Sequence, residues 1–258
     1  MLEASNLSFV AGGRTVLDRM SCAVRPATVL ALVGPNGAGK TTVLRHLAGE
    51  IVPQSGGVRL DGLPLAAWPA ETLARRRAVV SAQTIPGNWF RVSDLLDLAT
   101  GETDAGAIDA SPLAPSRRSA LLAALDLSGS EAARLDRLSS GEQQRLRLVA
   151  ALLQLGGDDL RGRYLLLDEP TSHQDPRHLR GIEVLLRAVR EQGAGIVLST
   201  HDLALAARLG DEAVLIHGGA FIAQGAPHEI LTPTLLLETY GVPLAPLRDA
   251  AGRIAAFG

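Results

Sequence analysis

The sequence predicts a mixed α/β fold: a parallel sheet flanked by helices, an antiparallel β region near the start, and an inserted helical region. Three observations predict it. The stretch Gly34-Pro35-Asn36-Gly37-Ala38-Gly39-Lys40-Thr41, with Thr42 behind it, reads G-x-x-x-x-G-K-T, the phosphate-binding loop that joins a strand to a helix. Tyr164 to Leu167 and Ile196 to Leu198 are continuous apolar runs, as expected of parallel strands buried on both faces. From Thr84 to about Leu155 strand-like runs give way to helical periodicity.

Taken in order, Leu2 to Phe9 and Thr15 to Val24 alternate loosely about Gly12-Gly13, which predicts two antiparallel strands. Thr28 to Val33 reads as the strand entering the loop and Val43 to Ala48 as the helix leaving it. Val58 to Leu60 is a short strand turning at Asp61-Gly62, Glu71 to Arg77 a helical piece, and Ala78 to Ala82 a strand ending on Gln83. Helical spacing then covers Val92 to Ala99, Ser119 to Leu127 and Glu142 to Leu155, interrupted by a Gly/Asp/Ala/Pro/Ser-rich segment at 101–116. Pro176 to Glu191 is an amphipathic helix, Val214 to Ile216 and Phe221 to Ala223 form a hairpin about Gly218-Gly219, and a short helical tail is expected to close the chain. The division predicted is one domain over 1–258, with residues 1–83 and 156–258 as sheet core and antiparallel region and 84–155 as a helical insert.

Composition narrows the function. Aromatic residues are only 3% and the net charge is −2, so neither a stacking platform nor a basic footprint for nucleic acid is present. The sole cysteine, Cys22, excludes an intrachain disulfide and reads as a buried strand residue. No run approaches the eighteen or so apolar residues that cross a bilayer, and the first residues lack a secretory pattern; a cytoplasmic chain is expected. Lys40 is the one lysine among 25 basic side chains, and it falls where a compact point charge suits phosphate. The histidines at 46, 173, 178, 217 and 228 form no ligand-like pattern and are expected at the surface.

The loop's chemistry follows from its residues. Glycines let the N–H groups of Gly37 to Thr42 turn inward toward phosphate oxygens, at the positive end of the following helix. Lys40 adds charge for the β- and γ-phosphates, and the Thr41 hydroxyl is a Mg²⁺ ligand. The run Leu165 to Leu167 ends in Asp168-Glu169: Asp168 is placed to hold Mg²⁺ through water, and Glu169 to serve as general base to the lytic water. Leu138-Ser139-Ser140-Gly141-Glu142 reads first as a capping box, Ser139 with Glu142. A helix start of this kind is also an anion site, and the two readings are compatible.

Together these residues resemble the ATP-binding cassette ATPases. The similarity spans the loop at 34–41, Gln83 in the place of a glutamine that links Mg²⁺ and lytic water to a transporter, the signature from Leu138 to Glu142, and Asp168-Glu169. It continues through Ser172-His173-Gln174-Asp175 in the position of the D-loop and Ser199-Thr200-His201-Asp202 in that of the switch histidine. The resemblance implies a head-to-tail homodimer holding two ATP with Mg²⁺, each nucleotide between the phosphate loop of one copy and Ser139, Ser140, Gly141 and Glu142 of the other. Asp168, Thr41 and Gln83 would serve the metal, and His201 would sense the γ-phosphate beside Glu169. Three places depart from the family pattern. Ser140 stands where glycine is usual, His173-Gln174 precede the retained Asp175, and Ala11 replaces the aromatic that stacks on adenine, leaving Val16 to pack on the base with Phe9 or Arg14 as contributors.

Within the family, the segment from Leu231 to Val242, Arg75-Arg76-Arg77 before Gln83 and Glu142-Gln143-Gln144-Arg145 look most like importer ATPases for haem, iron chelates and cobalamin, haem foremost. The implied partners are a permease dimer in the inner membrane, met at its cytoplasmic face, and indirectly a substrate-binding protein, with no nucleic acid. The alternatives are a soluble cassette ATPase of iron–sulfur cluster assembly and an importer subunit for siderophores or cobalamin. Intact Lys40, Glu169 and His201 argue against an inactive regulatory cassette.

Overall fold

The computed structural model describes residues 1–81, 90–101, 114–172 and 174–258. Strands β1 (Leu2–Ala11) and β2 (Arg14–Val24) form the expected hairpin. Its two turn residues, Gly12 and Gly13, both have positive φ, the conformation a two-residue hairpin turn needs. Next come β3 (Val29–Val33), α1 (Lys40–Ala48), β4 (Ser55–Leu60), β5 (Leu63–Pro64), α2 (Ala70–Arg76) and β6 (Arg77–Val80). Three helices follow, α3 (Val92–Thr100), α4 (Ala114–Ala124) and α5 (Ser140–Leu155). The chain then alternates through β7 (Tyr164–Asp168), α6 (Pro176–Glu191), β8 (Gly195–Thr200), α7 (Leu203–Leu209), β9 (Glu212–His217) and β10 (Ala220–Gly225), and ends in α8 (Pro227–Ile230), α9 (Pro233–Tyr240), β11 (Pro246–Arg248) and β12 (Ile254–Phe257).

Strands β1 to β10 make a single sheet in the order β5-β4-β1-β2-β10-β9-β3-β8-β7-β6. From β9 to β6 the neighbours are parallel; β5, β4, β1 and β2 are antiparallel. The register sets the carboxyl ends level: Val33 lies opposite Thr200, and Asp168 opposite Ser199. Ligands of open α/β sheets bind at such an edge.

Side-chain alternation divides the core. Leu165 and Leu167 of β7 face the helical side, against Val92, Leu96, Leu146, Val149 and Leu152. Tyr164 and Leu166 face the other way, toward Val43 and Leu47 of α1 and Leu2 and Leu7 of β1. The helix α6 has the bounds read from the sequence because its start is doubly marked. The Asp175 carboxylate accepts the N–H of His178, and Pro176 occupies the first turn, where its missing N–H costs nothing.

Two expectations are corrected. The tail is not wholly helical: after α9 the chain forms the β11–β12 hairpin, whose turn is tied by the Asp249 carboxylate accepting N–H groups of Ala251 and Arg253. His46 is not a surface residue. On the inward face of α1, one turn after Thr42, it is 1% exposed, bonds the Thr42 carbonyl through Nδ1 at 2.7 Å, and meets Phe9 edge-on. His217 and His228 are exposed as expected, while His178 is half-buried between Asp175 and Asp126. Cys22 is buried, as expected, which pushes its thiol pKa up to about 12.

Candidate nucleotide site

The phosphate loop leaves β3 at the centre of the sheet edge. Two of its glycines are fixed by close approach. A Cβ on Gly34 would lie 2.1 Å from the Ile216 carbonyl oxygen, and one on Gly39, at φ 107°, would lie 2.9 Å from that of Val16. The second contact also explains why Val16, half-buried on β2, stands beside the loop. Gly37 has φ 78°, a left-handed residue that lets the chain curl. Thr41 and Thr42 follow Lys40 in the first turn of α1.

Lys40 is 5% exposed and turned back onto the loop, its Nζ donating to the carbonyls of Gly34 at 2.8 Å and Pro35 at 3.0 Å. Burial lowers its pKa, opposed by the charges of Glu169 and Asp168. Thr41 donates its hydroxyl to the Asp168 carboxylate at 2.9 and 3.1 Å, and Ser199 donates to the same carboxylate at 2.5 Å. A hydroxyl and one carboxylate in direct contact suit Mg²⁺, which takes few protein ligands and completes its shell with water and phosphate oxygens. The residues present therefore fit a nucleotide-borne ion.

Glu169, one residue past β7, has φ 46°, uncommon for a residue with a side chain. Such strain is held by surrounding bonds. Its N–H donates toward the Ser199 carbonyl and hydroxyl oxygens, each at 3.2 Å, and Ser172 donates its hydroxyl to Oε2 at 3.1 Å. Oε1 lies 3.3 Å from Nδ1 of His201, which follows β8 directly and is exposed. The carboxylate faces a titratable ring at one oxygen and a fixed hydroxyl at the other, a geometry able to accept a proton from water.

The segment Ser139 to Glu142 forms the capping box read from the sequence. The Glu142 N–H donates to the Ser139 hydroxyl oxygen at 3.3 Å, and the Glu142 carboxylate accepts the Ser139 hydroxyl at 2.7 Å and N–H at 2.8 Å. These bonds, the hydroxyl's first, hold the Glu142 pKa below the usual glutamate value. Ser139 and Ser140 are exposed and Gly141 is buried. Asp175 is exposed at the start of α6, its pKa lowered by the N–H of His178.

Of the predicted residues, then, Gly34 to Thr42, Val16, Asp168, Glu169 and His201 come together at the sheet edge. Ser139 to Glu142 and Asp175 stand at the starts of α5 and α6. Gln83 and His173 lie outside the described residues. Phe9 meets the His46 ring edge-on, and Arg14 is exposed at the start of β2. Sequence reading placed Ser172 and Ser199 within the D-loop and switch-histidine stretches but gave their hydroxyls no role, whereas here they bond the Glu169 and Asp168 carboxylates; for Ser199 the available signal was a hydroxyl in register with the end of a neighbouring buried strand.

A family profile described as ABC transporter matches residues 17–172. The chain is 38% identical to the hemin import ATP-binding protein HmuV of Enterobacter cloacae, over 98% of this chain and 96% of that one. It is 37% identical to the protein of the same name from Rhodopseudomonas palustris, over 98% and 92%. Among solved structures, an ATP-binding subunit of an ABC transporter superposes with a TM-score of 0.77 at 29% identity, covering 94% of each chain. The phosphate loop, the carboxylates that end β7 and the match over most of its length agree: this chain belongs to the ABC transporter family.

Proposed function

We propose that this chain is the ATP-hydrolysing subunit of an importer for haem or a related iron chelate, acting on a separate membrane permease. ATP hydrolysis coupled to transport is the activity of its family. The observation that carries the reading is the gathering of Lys40, Thr41, Asp168, Glu169 and His201 at one edge of the sheet. The import of haem is supported by the names of relatives aligned over nearly the full chain. Those names favour haem over the siderophore, cobalamin and iron–sulfur assembly alternatives.

The residues divide the work. The N–H groups from Gly37 to Thr42 and Lys40 hold the phosphates of ATP, and Val16 packs on its base. Thr41 and Asp168, with Gln83, hold Mg²⁺, which neutralises charge on the β- and γ-phosphates when bound. Glu169 takes the proton of the attacking water while His201 orients that carboxylate and meets the γ-phosphate. Ser139, Ser140, Gly141 and Glu142, with Asp175, contribute from a second copy, so that two chains enclose two nucleotides head to tail.

Among the described residues no helix is long and apolar enough to cross a membrane. We place the chain at the cytoplasmic face of the inner membrane, held there by a permease dimer that in turn meets a substrate-binding protein. The test is affinity purification of the tagged chain from gently solubilised native membranes, with mass spectrometry and an absorption spectrum of the associated binding protein. A multispanning permease and a haem-loaded partner are expected. Recovery only from the soluble fraction, with assembly or nucleic-acid factors, would overturn the transport role.

A further inference from the structure

Gln174 departs from the family pattern, and its side chain ties two parts of the molecule that are far apart in sequence. Its Nε2 donates to the Gly141 carbonyl at 3.0 Å, and its Oε1 accepts from Nη1 of Arg145 at 2.7 Å. Arg145 is itself fixed: it is 5% exposed and donates through Nε to the Leu125 carbonyl at 2.9 Å. The amide is thus used at both ends, with only one orientation satisfying an acceptor on one side and a cation on the other. Gly141 lies in the first turn of α5, between Ser140 and Glu142. Two residues before Gln174, Ser172 bonds the Glu169 carboxylate, and one residue after it Asp175 caps α6.

We infer that Gln174 is a positioning residue that locks the first turn of α5 to the loop carrying Glu169, so that the signature a chain offers its partner is set by the state of that chain's own hydrolytic loop. This rests on the proposal that Ser139 to Glu142 complete a partner's nucleotide site. The bond to the Gly141 carbonyl is the operative one, because it acts on the turn that the proposed function sets against the partner's nucleotide, whereas Arg145 anchors the amide from behind. Glu169 touches one end of the loop and α5 the other. Neither Gln174 nor Arg145 touches the reacting atoms.

The experiment compares Gln174→Glu and Gln174→Leu with the wild-type chain, reading kcat and Hill coefficient for ATP, nucleotide affinity and thermal midpoint in parallel. Glutamate keeps an acceptor for Arg145 but loses the donor to Gly141, so it separates positioning from stability. We expect Gln174→Glu to melt with the wild type and bind nucleotide unchanged, yet to lose roughly 10- to 100-fold in kcat, the scale of a small misplacement of a catalytic segment, and to lose cooperativity. Gln174→Leu should show the same kinetic loss with a lower midpoint. Wild-type kcat and Hill coefficient in Gln174→Glu, or losses that only follow the midpoint, would overturn the inference. The wild-type control reports separately on the proposed function: an inactive wild-type chain would count against that reading, whereas the variant-to-wild-type ratio tests the lock alone.

Discussion

The loop edge of the sheet and the first turn of α5 are both helix starts with polar side chains around them, but they are completed differently. At the sheet edge the polar side chains already answer one another: Lys40 on loop carbonyls, Thr41 and Ser199 on Asp168, Ser172 and His201 on Glu169. Most of them are buried or half-buried. At α5 the cap is closed on itself by Ser139 and Glu142, and the two serines face solvent. The sheet edge is therefore a set of polar side chains fixed by one another, whereas the start of α5 is a capped helix end that stays exposed; under the proposed function, the second would complete the first in another copy.

The strongest effects are expected at the sheet edge. Glu169→Gln should lower ATP turnover roughly 10²- to 10⁴-fold, the range for losing a general base, while nucleotide binding persists; comparable turnover would remove Glu169 from that role. Lys40→Ala should weaken nucleotide affinity about 10- to 100-fold, as expected for losing a charged hydrogen-bond donor, measured by titration with a fluorescent ATP analogue. An unchanged affinity would contradict the loop assignment.

At the exposed half the effects are smaller and concern stability first. Ser139→Ala should cost about 1 kcal/mol in urea unfolding, the ordinary value of an N-cap. The cap should also depend on pH in a definite direction. The Glu142 pKa is depressed in the folded chain, so its contribution is present above the ordinary glutamate pKa and is lost as pH falls through the folded value. The stability gap between wild type and Glu142→Gln should therefore narrow from neutral pH into acid; a gap that stays constant would show that the carboxylate's charge adds nothing. Ser140→Gly should have the smallest effect on folding, and its reading is association. If it raises ATP-driven dimerisation of the Glu169→Gln chain, the serine loosens the contact; if dimerisation is unchanged, the hydroxyl is neutral there.

What the sequence made legible was what depends on neighbours in the chain. The loop, the strand running into Asp168 and the bounds of α6 are each marked by adjacent residues with one dominant physical preference, such as Asp175-Pro176 at a helix start. The capping box was legible for the same reason. Features that depend on residues brought together by folding were not. Ser199 reaches Asp168 across 31 positions and Gln174 reaches Gly141 across 33, and nothing local distinguishes them from solvated side chains. His46 was misplaced because a histidine's surface preference is overridden where Thr42 offers a carbonyl and Phe9 a ring. The closing hairpin was missed because β11 and β12 have only three and four residues, too short for alternation to show.

If the loop edge of one chain and the first turn of α5 of another complete one shared site, mixing two differently disabled chains should restore activity. Lys40→Ala disables the loop of one chain. Ser140→Asp places a carboxylate at the exposed first turn of α5, which a helix start tolerates well but which repels a phosphate. Each purified variant alone should be nearly inactive as an ATPase. Mixed, they should recover a substantial fraction of wild-type turnover, because one of the two sites in a mixed dimer joins an intact loop to an intact signature. If the mixture shows no more activity than the two variants measured separately, while both still fold, the shared-site account is wrong.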